Sequence, residues 1–592
     1  MSLHKSPVTI VKNYHGPLQL LPGPNLLIQP AESRSTSTSF CPHAHRLKYY
    51  LNSHCFQTDS PRGSQDMAIP RHACACAYLL LLVLFGCLLL PAAAQSQPVG
   101  EAELLLEIKR TWGDPPALAA WSASTSSGGV HCGWPYVGCN SAGRVTSLAL
   151  AGINVSGPIP DAIGGLSSLT HLDASDNLIA GVFPVALYHC QSLQYLNLAG
   201  NHIGGELPYD IGHGLGANLS KLDLGVNEFN GTIPVSLSRL RNLRHLALEE
   251  NRFIGTIPVE LGELSSLEIL ELSINPFDAG QLPASFKNLT SLVGLWVANC
   301  NLVGDFPSYL VKMSELERLD LGSNSFMGTI PSEIWSLKKL ESLDVSGNNL
   351  TGDVMVDGFA AMSLVAIDIS ENKLTGMIPE VFGRLRNLTY LLLLNNNFSG
   401  EIPVSIGRLP SLKVLSLCGN RLTGTLPSEL GKHSLNLSSV FVADNKLTGR
   451  VPEWLCAGGH LQYLLAWSNR LNGSIPIGLA NCATPVELSL DNNELSGEVP
   501  KALWTAGKHV FVHVRNNTLT GSLPAMLSNN LYELDIGNNQ FIGRIPTVAL
   551  GLVHFIADNN QFSGEIPPHI DYGMPLLQHL NLANNKLYGN IG

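Results

Sequence analysis

The sequence predicts an α/β solenoid, a stack of short strands forming one concave parallel sheet behind an α-helical amino-terminal segment. Three observations predict it. One frame, L-x-x-L-x-L-x-x-N-x-L-x-G-x-I-P, recurs from residue 144 onward, mostly at a spacing of 24, as Asn324, Asn348, Asn372, Asn396 and Asn420 show. With Ile153 and Cys300 in the asparagine place of two units, it occurs 19 times. The 56 glycines and 36 prolines among 592 residues require frequent turns, and a unit this short buries its apolar edge only against its neighbours.

Each element of the frame has a physical reason, seen complete in "LERLDLGSNSFMGTIP" (Leu316 to Pro331). Alternating leucines make a strand with one face inward. The asparagine three residues later turns the chain, and its carboxamide can bond backbone groups of the neighbouring turn. Glycine after the next apolar residue lets the backbone pass closely, and Ile-Pro adds an apolar anchor while fixing φ. One residue is inserted at Asp278, and Asn517, Asn539 and Asn560 lie only 22 and 21 apart, so those units should have shorter convex sides. Ahead of the repeats, "EAELLLEIKRTW" places Leu104, Leu105, Ile108 and Trp112 on one helical face.

The chain divides into four parts. Residues 1–66 lack periodicity and are expected to be disordered or untranslated; residues 67–94 form a signal peptide, 95–143 an amino-terminal cap, and 144–592 the repeats, the last incomplete. The signal reading rests on Arg71 and His72 before the apolar run Tyr78 to Leu90, then Ala92-Ala93-Ala94, with cleavage before Gln95. No later apolar run of about 20 residues follows, so the chain as given is expected outside the cell. Ten N-x-[ST] sequons fit that location: Asn154, Asn218, Asn230, Asn288, Asn349, Asn387, Asn397, Asn436, Asn472 and Asn516, only some of them expected to be modified. Seven of 12 cysteines follow the cleavage site, an odd number that leaves a thiol without an intramolecular disulfide.

Several function classes are disfavoured. A net charge of -11 argues against nucleic acid. No G-x-S-x-G, H-E-x-x-H, phosphate loop or kinase signature set is present, and the 19 histidines lack metal-ligand spacing. No catalytic residue, metal site or cofactor is therefore expected.

The positions flanking L-x-L point out of the concave sheet, where the repeat demands no particular residue and a partner can be recorded. Repeats four to ten carry Asp223, Glu249, Glu250, Glu271, Asp320, Asp344, Asp368 and Glu371. The aspartates are equally explained as repeat consensus, but Glu249, Glu250 and Glu271 are not. Trp296 stands in repeat seven; Tyr390, Leu392, Leu394, Phe441, Tyr463, Leu465, Trp467, Phe511, His513 and Arg515 follow from repeat eleven. An exposed apolar band of that size marks a binding site, the alternative being lateral packing between rungs.

The L-x-G-x-I-P segment resembles the plant-specific class of leucine-rich repeats, and the cap resembles the amino-terminal cap of such proteins. That resemblance implies a Cys132–Cys139 disulfide in "HCGWPYVGCN" and Trp121 and Trp134 in the core. Cys456 and Cys482 fall at similar places on successive units, as a second bridge or as two buried thiols. Cap, frame and the run "VFVADNKLTGRVPEWLCAGGHLQYLLAWSNRLNGSIP" together resemble the ectodomain of HAESA-like plant receptor kinases. The resemblance implies a small secreted peptide along the concave face and a leucine-rich-repeat co-receptor kinase as second partner. Family members often hold the peptide carboxylate with an Arg-x-Arg pair; the late strand here offers His513 and Arg515 but no such pair, so that role carries over only in part. The ending "NKLYGNIG", without closing cap, membrane span or kinase, reads as a truncated receptor, placed at the plasma membrane if the full product carries a span. The competing expectation is an inhibitor of microbial wall-degrading enzymes, a role of shorter plant proteins with this repeat, or a passive wall scaffold.

Overall fold

Strands form wherever L-x-L recurs because each central leucine has an equivalent leucine one rung before and after it. The computed structural model describes residues 9–11, 100–122, 130–482, 484, 486–505 and 509–589; the expected signal peptide lies outside them. The main sheet has 21 strands. Nineteen are parallel rungs, from Val145–Ala149 to His579–Asn581, with leucine on leucine, as in Leu246↔Leu270↔Leu295↔Leu319. Two antiparallel strands flank them: Val137–Cys139 of the cap on the first rung, and Thr9–Val11 on the last.

Behind the sheet runs a continuous apolar spine. The return path of most units begins at the frame's proline and makes one short 3₁₀ turn, such as Val259–Glu263 after Pro258, rather than an α-helix. Five residues between proline and the next leucine leave room only for i→i+3 bonds, as in Leu261 N–H to Pro258 O at 3.2 Å. In the shortened units near the end, an isolated bridge between Met526 and Val548 stands on the return path.

The asparagine of the frame ties successive rungs. Asn251 Nδ2 donates to Leu224 O one rung back (3.0 Å) and to Leu248 O and Glu249 O of its own rung (3.2 and 3.1 Å), while Oδ1 accepts Phe229 N–H at 3.0 Å. The preceding residue takes left-handed backbone to bring the amide inward; Val226 and Ile274 do so at φ 52° and 58°, a conformation that disfavours β-branched side chains. At Cys300 the thiol donates to Leu272 O at 3.2 Å but supplies no matching acceptor, and Phe277 N–H turns to Asn275 O instead.

The cap helix Glu101–Thr111 buries Leu105 and Ile108, with Leu104 packed against the same core. Glu101 joins it to the first rung: Oε2 accepts Val145 N–H at 2.8 Å and Oε1 meets Arg144 Nε at 3.0 Å. Trp121 and Trp134 lie in the core, as the resemblance implied, and stack on each other at 5.8 Å. Cys132 is bonded to Cys139 and Cys456 to Cys482, with Cα separations of 5.6 and 5.0 Å; Cys190, Cys300 and Cys418 remain buried thiols.

Two outcomes are expected from these contacts. Asn348→Ala strips partners from Leu321 O, Val345 O, Ser346 O and Phe326 N–H, a loss of roughly 2–4 kcal/mol for buried groups left unpaired. Hydrogen exchange at the Phe326 amide reads it, and undiminished protection would contradict the ladder's role. His509 occupies a leucine position at 2% exposure, neither ring nitrogen has a partner among the described residues, and burial pushes its pKa down to about 4. Below the unfolded value near 6.5 the unfolded chain takes up a proton that the fold refuses. Stability therefore falls as pH drops from about 6.5 and levels off below about 4, a loss of about 3 kcal/mol. His509→Leu should remove that acid loss, measured by denaturant unfolding at neutral and acid pH.

Candidate ligand-binding site

Residues on either side of each central leucine line up in rows along the concave face. One row reads Tyr390↔Val414↔Ser439↔Tyr463↔Glu487 and the next Leu392↔Ser416↔Phe441↔Leu465↔Ser489. A second apolar cluster, separate from the main core, gathers Leu392, Leu394, Val414, Cys418, Phe441, Ala443 and Leu465, with Tyr390, Tyr463 and Trp467 packed on it half-buried. Rungs about 4.8 Å apart let large side chains cover one another. The expected band is therefore exposed only in part: Leu465 is 2% and Phe441 3% accessible, and they form a floor beneath three half-buried aromatic rims. Phe441 and Tyr463 lie 6.0 Å apart, tilted. Along "LQYLLAWSN", Leu461, Leu464 and Ala466 enter the main core while Tyr463, Leu465 and Trp467 join the outer cluster, so both faces of one strand are covered.

The acidic segment divides by chemistry. Asp223, Asp320, Asp344 and Asp368 each accept the N–H two residues on, from Gly225, Gly322, Ser346 and Ser370, at 3.3, 2.9, 2.8 and 3.0 Å. They close the strand exit, which accounts for the consensus aspartate. Glu249 is different. Its carboxyl is pushed up to about 8 by burial and by the neighbouring Glu271, and its Oε2 has no hydrogen-bond partner among the described residues. Glu271 lies 3.8 Å from His245. Glu250 does not face the sheet as expected: it is the left-handed residue before Asn251, φ 49°, exposed in the turn. Glu371 has the same place before Asn372, at φ 52°.

Trp296 lies half-buried across its own strand, in the space left by Gly294, where a Cβ would collide with the indole. The aspartate it replaces is compensated by Ser273, whose Oγ accepts Ala298 N–H at 2.9 Å.

In the late strands the structure changes the expected role of Arg515. Its guanidinium is bidentate to Asp558, at 2.8 and 2.9 Å, and meets Asp535 at 3.3 Å, so it is not an open carboxylate clamp. His513 lies 3.2 Å from Glu533, which also meets His554 at 3.1 Å; the His513 contact, opposed by burial, holds the Glu533 carboxyl at about 2. Phe511 packs on Tyr532 at 5.6 Å. At the other end, sequence reasoning passed over His171 and Tyr195, stacked at 5.8 Å with Lys221 5.4 Å above the tyrosine ring; an outward Tyr195 was the same signal as Tyr463. Of the sequons, Asn349 and Asn397 are half-buried and the others exposed, although the Asn516 amide bonds both Asn492 and Asn538 at 2.6 Å.

Family models match along the array: a leucine rich repeat N-terminal domain at residues 100–140, leucine rich repeats at 144–203, a leucine-rich repeat region at 219–362, and single repeats at 363–385, 387–409 and 411–433. The chain is 45% identical over 80 residues to MDIS1-interacting receptor like kinase 1 of Arabidopsis thaliana, covering 13% of this chain and 8% of that protein. It is 36% identical over 83 residues to polygalacturonase inhibitor 1 of Oryza sativa subsp. japonica, 14% of this chain and 24% of the inhibitor. It thus spans under a third of the length of these curated relatives. The Arabidopsis HAESA ectodomain in complex with an extended IDA peptide hormone superposes with a TM-score of 0.76 and 35% identity over 82% of each chain. HAESA with IDA and the co-receptor SERK1 gives 0.74 and 31%, over 82% of this chain and 86% of that one. A TDR receptor gives 0.68 and 32%, over 74% and 80%. The chain belongs to the plant leucine-rich-repeat receptor ectodomains, in the HAESA-like group.

Proposed function

We propose that the concave face binds a small secreted peptide in extended form, from the Glu249–Trp296 segment to the Tyr390–Trp467 platform. The platform carries the reading: three aromatic rims stand on a packed apolar floor, so contact surface is prepared without loss of side-chain freedom on binding. Peptide main chain would meet the polar groups between, with Tyr463 and Trp467 as anchors. The similar HAESA ectodomain is known with a peptide hormone and a co-receptor, and pairing of this protein with a leucine-rich-repeat co-receptor kinase belongs to the same proposal. A second reading, inhibition of microbial wall-degrading enzymes, draws on the similarity to polygalacturonase inhibitors of rice and Pyrus communis, each 36% identical over short segments.

Binding of synthetic secreted plant peptides to the secreted, glycosylated protein separates the two. Tyr463→Ala and Trp467→Ala should each weaken the bound peptide at least about tenfold with little change in melting temperature. No peptide binding, together with inhibition of a fungal polygalacturonase, would replace the first reading by the second. Gly294→Val should displace the Trp296 indole and change its fluorescence; if peptide affinity is then unaltered, Trp296 is not part of the contact surface.

A further inference from the structure

The flank of the sheet where the ladder turns lie carries an unusual charge pattern. From repeat ten to repeat fourteen, the residues directly after the ladder asparagines are Lys373, Asn397, Arg421, Lys446 and Arg470, one per rung. The four cations are exposed, and among the described residues Arg421, Lys446 and Arg470 meet no carboxylate at ion-pair distance. Earlier in the same line Arg252 is matched by Glu228 at 3.1 Å. An unmatched basic line is notable in a chain of net charge -11.

Beside the line lies a groove of about 630 Å³, with Arg421 and Lys446 on its outer wall and Glu371, Asn395 and Asp444 on its inner wall. Gly419 opens it: at φ 64° it stands where neighbouring units place a side chain, and a Cβ there would collide with the Asn395 carboxamide. The two walls ask for different chemistry. The outer wall takes anions at about one per rung, roughly 4.8 Å apart. The inner wall takes hydroxyl or amide donors. No aromatic or apolar side chain lines the groove, so a ligand brings neither bases to stack nor apolar side chains to bury.

We propose that this flank binds an acidic polysaccharide of the uronate class, its carboxylates along Arg421, Lys446 and Arg470 and its hydroxyls donating to Glu371, Asn395 and Asp444. Each exposed charge pair contributes little alone, so affinity comes from several rungs together and is sensitive to salt. The groove adjoins the concave peptide platform, its Asn395, Gly419 and Asp444 following Leu394, Cys418 and Ala443 of the floor, but shares none of its residues, so the two proposals fail independently.

The test uses oligogalacturonate with the secreted glycoprotein, its fully methyl-esterified form, single-stranded RNA, and a triple variant Arg421→Gln, Lys446→Gln, Arg470→Gln. The protein should bind the free acid and ignore the ester and the RNA. Raising salt from low to about 0.5 M, or introducing the triple variant, should weaken binding at least about tenfold, with peptide binding by the variant unchanged. Equal binding of the ester or the RNA, full retention by the triple variant, or no binding at low salt by either the parent or Asn397→Gln, which removes the sequon within the line, would overturn the proposal.

Discussion

The structure depends on one interaction, the carboxamide that each repeat sends into its predecessor. A buried amide is tolerable only when its donors and acceptor are matched, and the frame achieves this by fixing three carbonyls and one N–H around the asparagine side chain. Asn372 and Asn469 show the same four contacts as Asn251 at nearly the same distances. Rung spacing, strand register and the left-handed turn before the asparagine all serve that arrangement. Side chains on the outer face are then free to vary, because the ladder bonds run through main chain and asparagine and do not involve them.

That freedom is used in two ways. In the middle repeats an aspartate closes the strand exit through the N–H two residues on, leaving a polar, hydrogen-bonded surface. From Leu392 onward this device is replaced by leucine, serine and phenylalanine, and the outer face is held by apolar contact between rungs. The change turns a hydrated surface into a firm one. At Asp535 the aspartate device returns, with Gly537 N–H at 3.0 Å, beside the pairs of Arg515 with Asp558 and of His513 with Glu533. The platform is thus bounded by charged surface on both sides.

Much of this was legible in the sequence because the frame determines which residues share a row. The 19 units, the cap helix and the outward direction of Tyr463, Leu465 and Trp467 follow from spacing alone. What spacing does not carry is how deeply neighbouring rungs cover each other: Leu392, Phe441 and Leu465 are buried by large neighbours, a property of which residues stand side by side rather than of any one unit. Glu250 was misplaced because the frame does not distinguish the last strand residue from the turn after it. Arg515 and Asp558 occupy the same row two rungs apart, a pairing hidden by the unequal lengths of the intervening units. The convex 3₁₀ turns were likewise unforeseen, since proline and leucine positions define a return path but not its winding.

The cysteine at position 300 has a mechanical meaning. In a stack whose stability is a sum of nearest-neighbour junctions, the junction between the sixth and seventh rungs lacks the acceptor that its neighbours possess, with the hydroxyl of Ser273 bonding Ala298 N–H across the gap. That seam is instead held by substitutes from other positions, the Ser273 hydroxyl and the Asn301 carboxamide, which donates to Phe277 O at 3.1 Å. Trp296 and Glu271 sit on opposite sides of that seam. A ligand touching both would therefore act as a splint across the one described junction whose ladder position holds a thiol in place of a carboxamide.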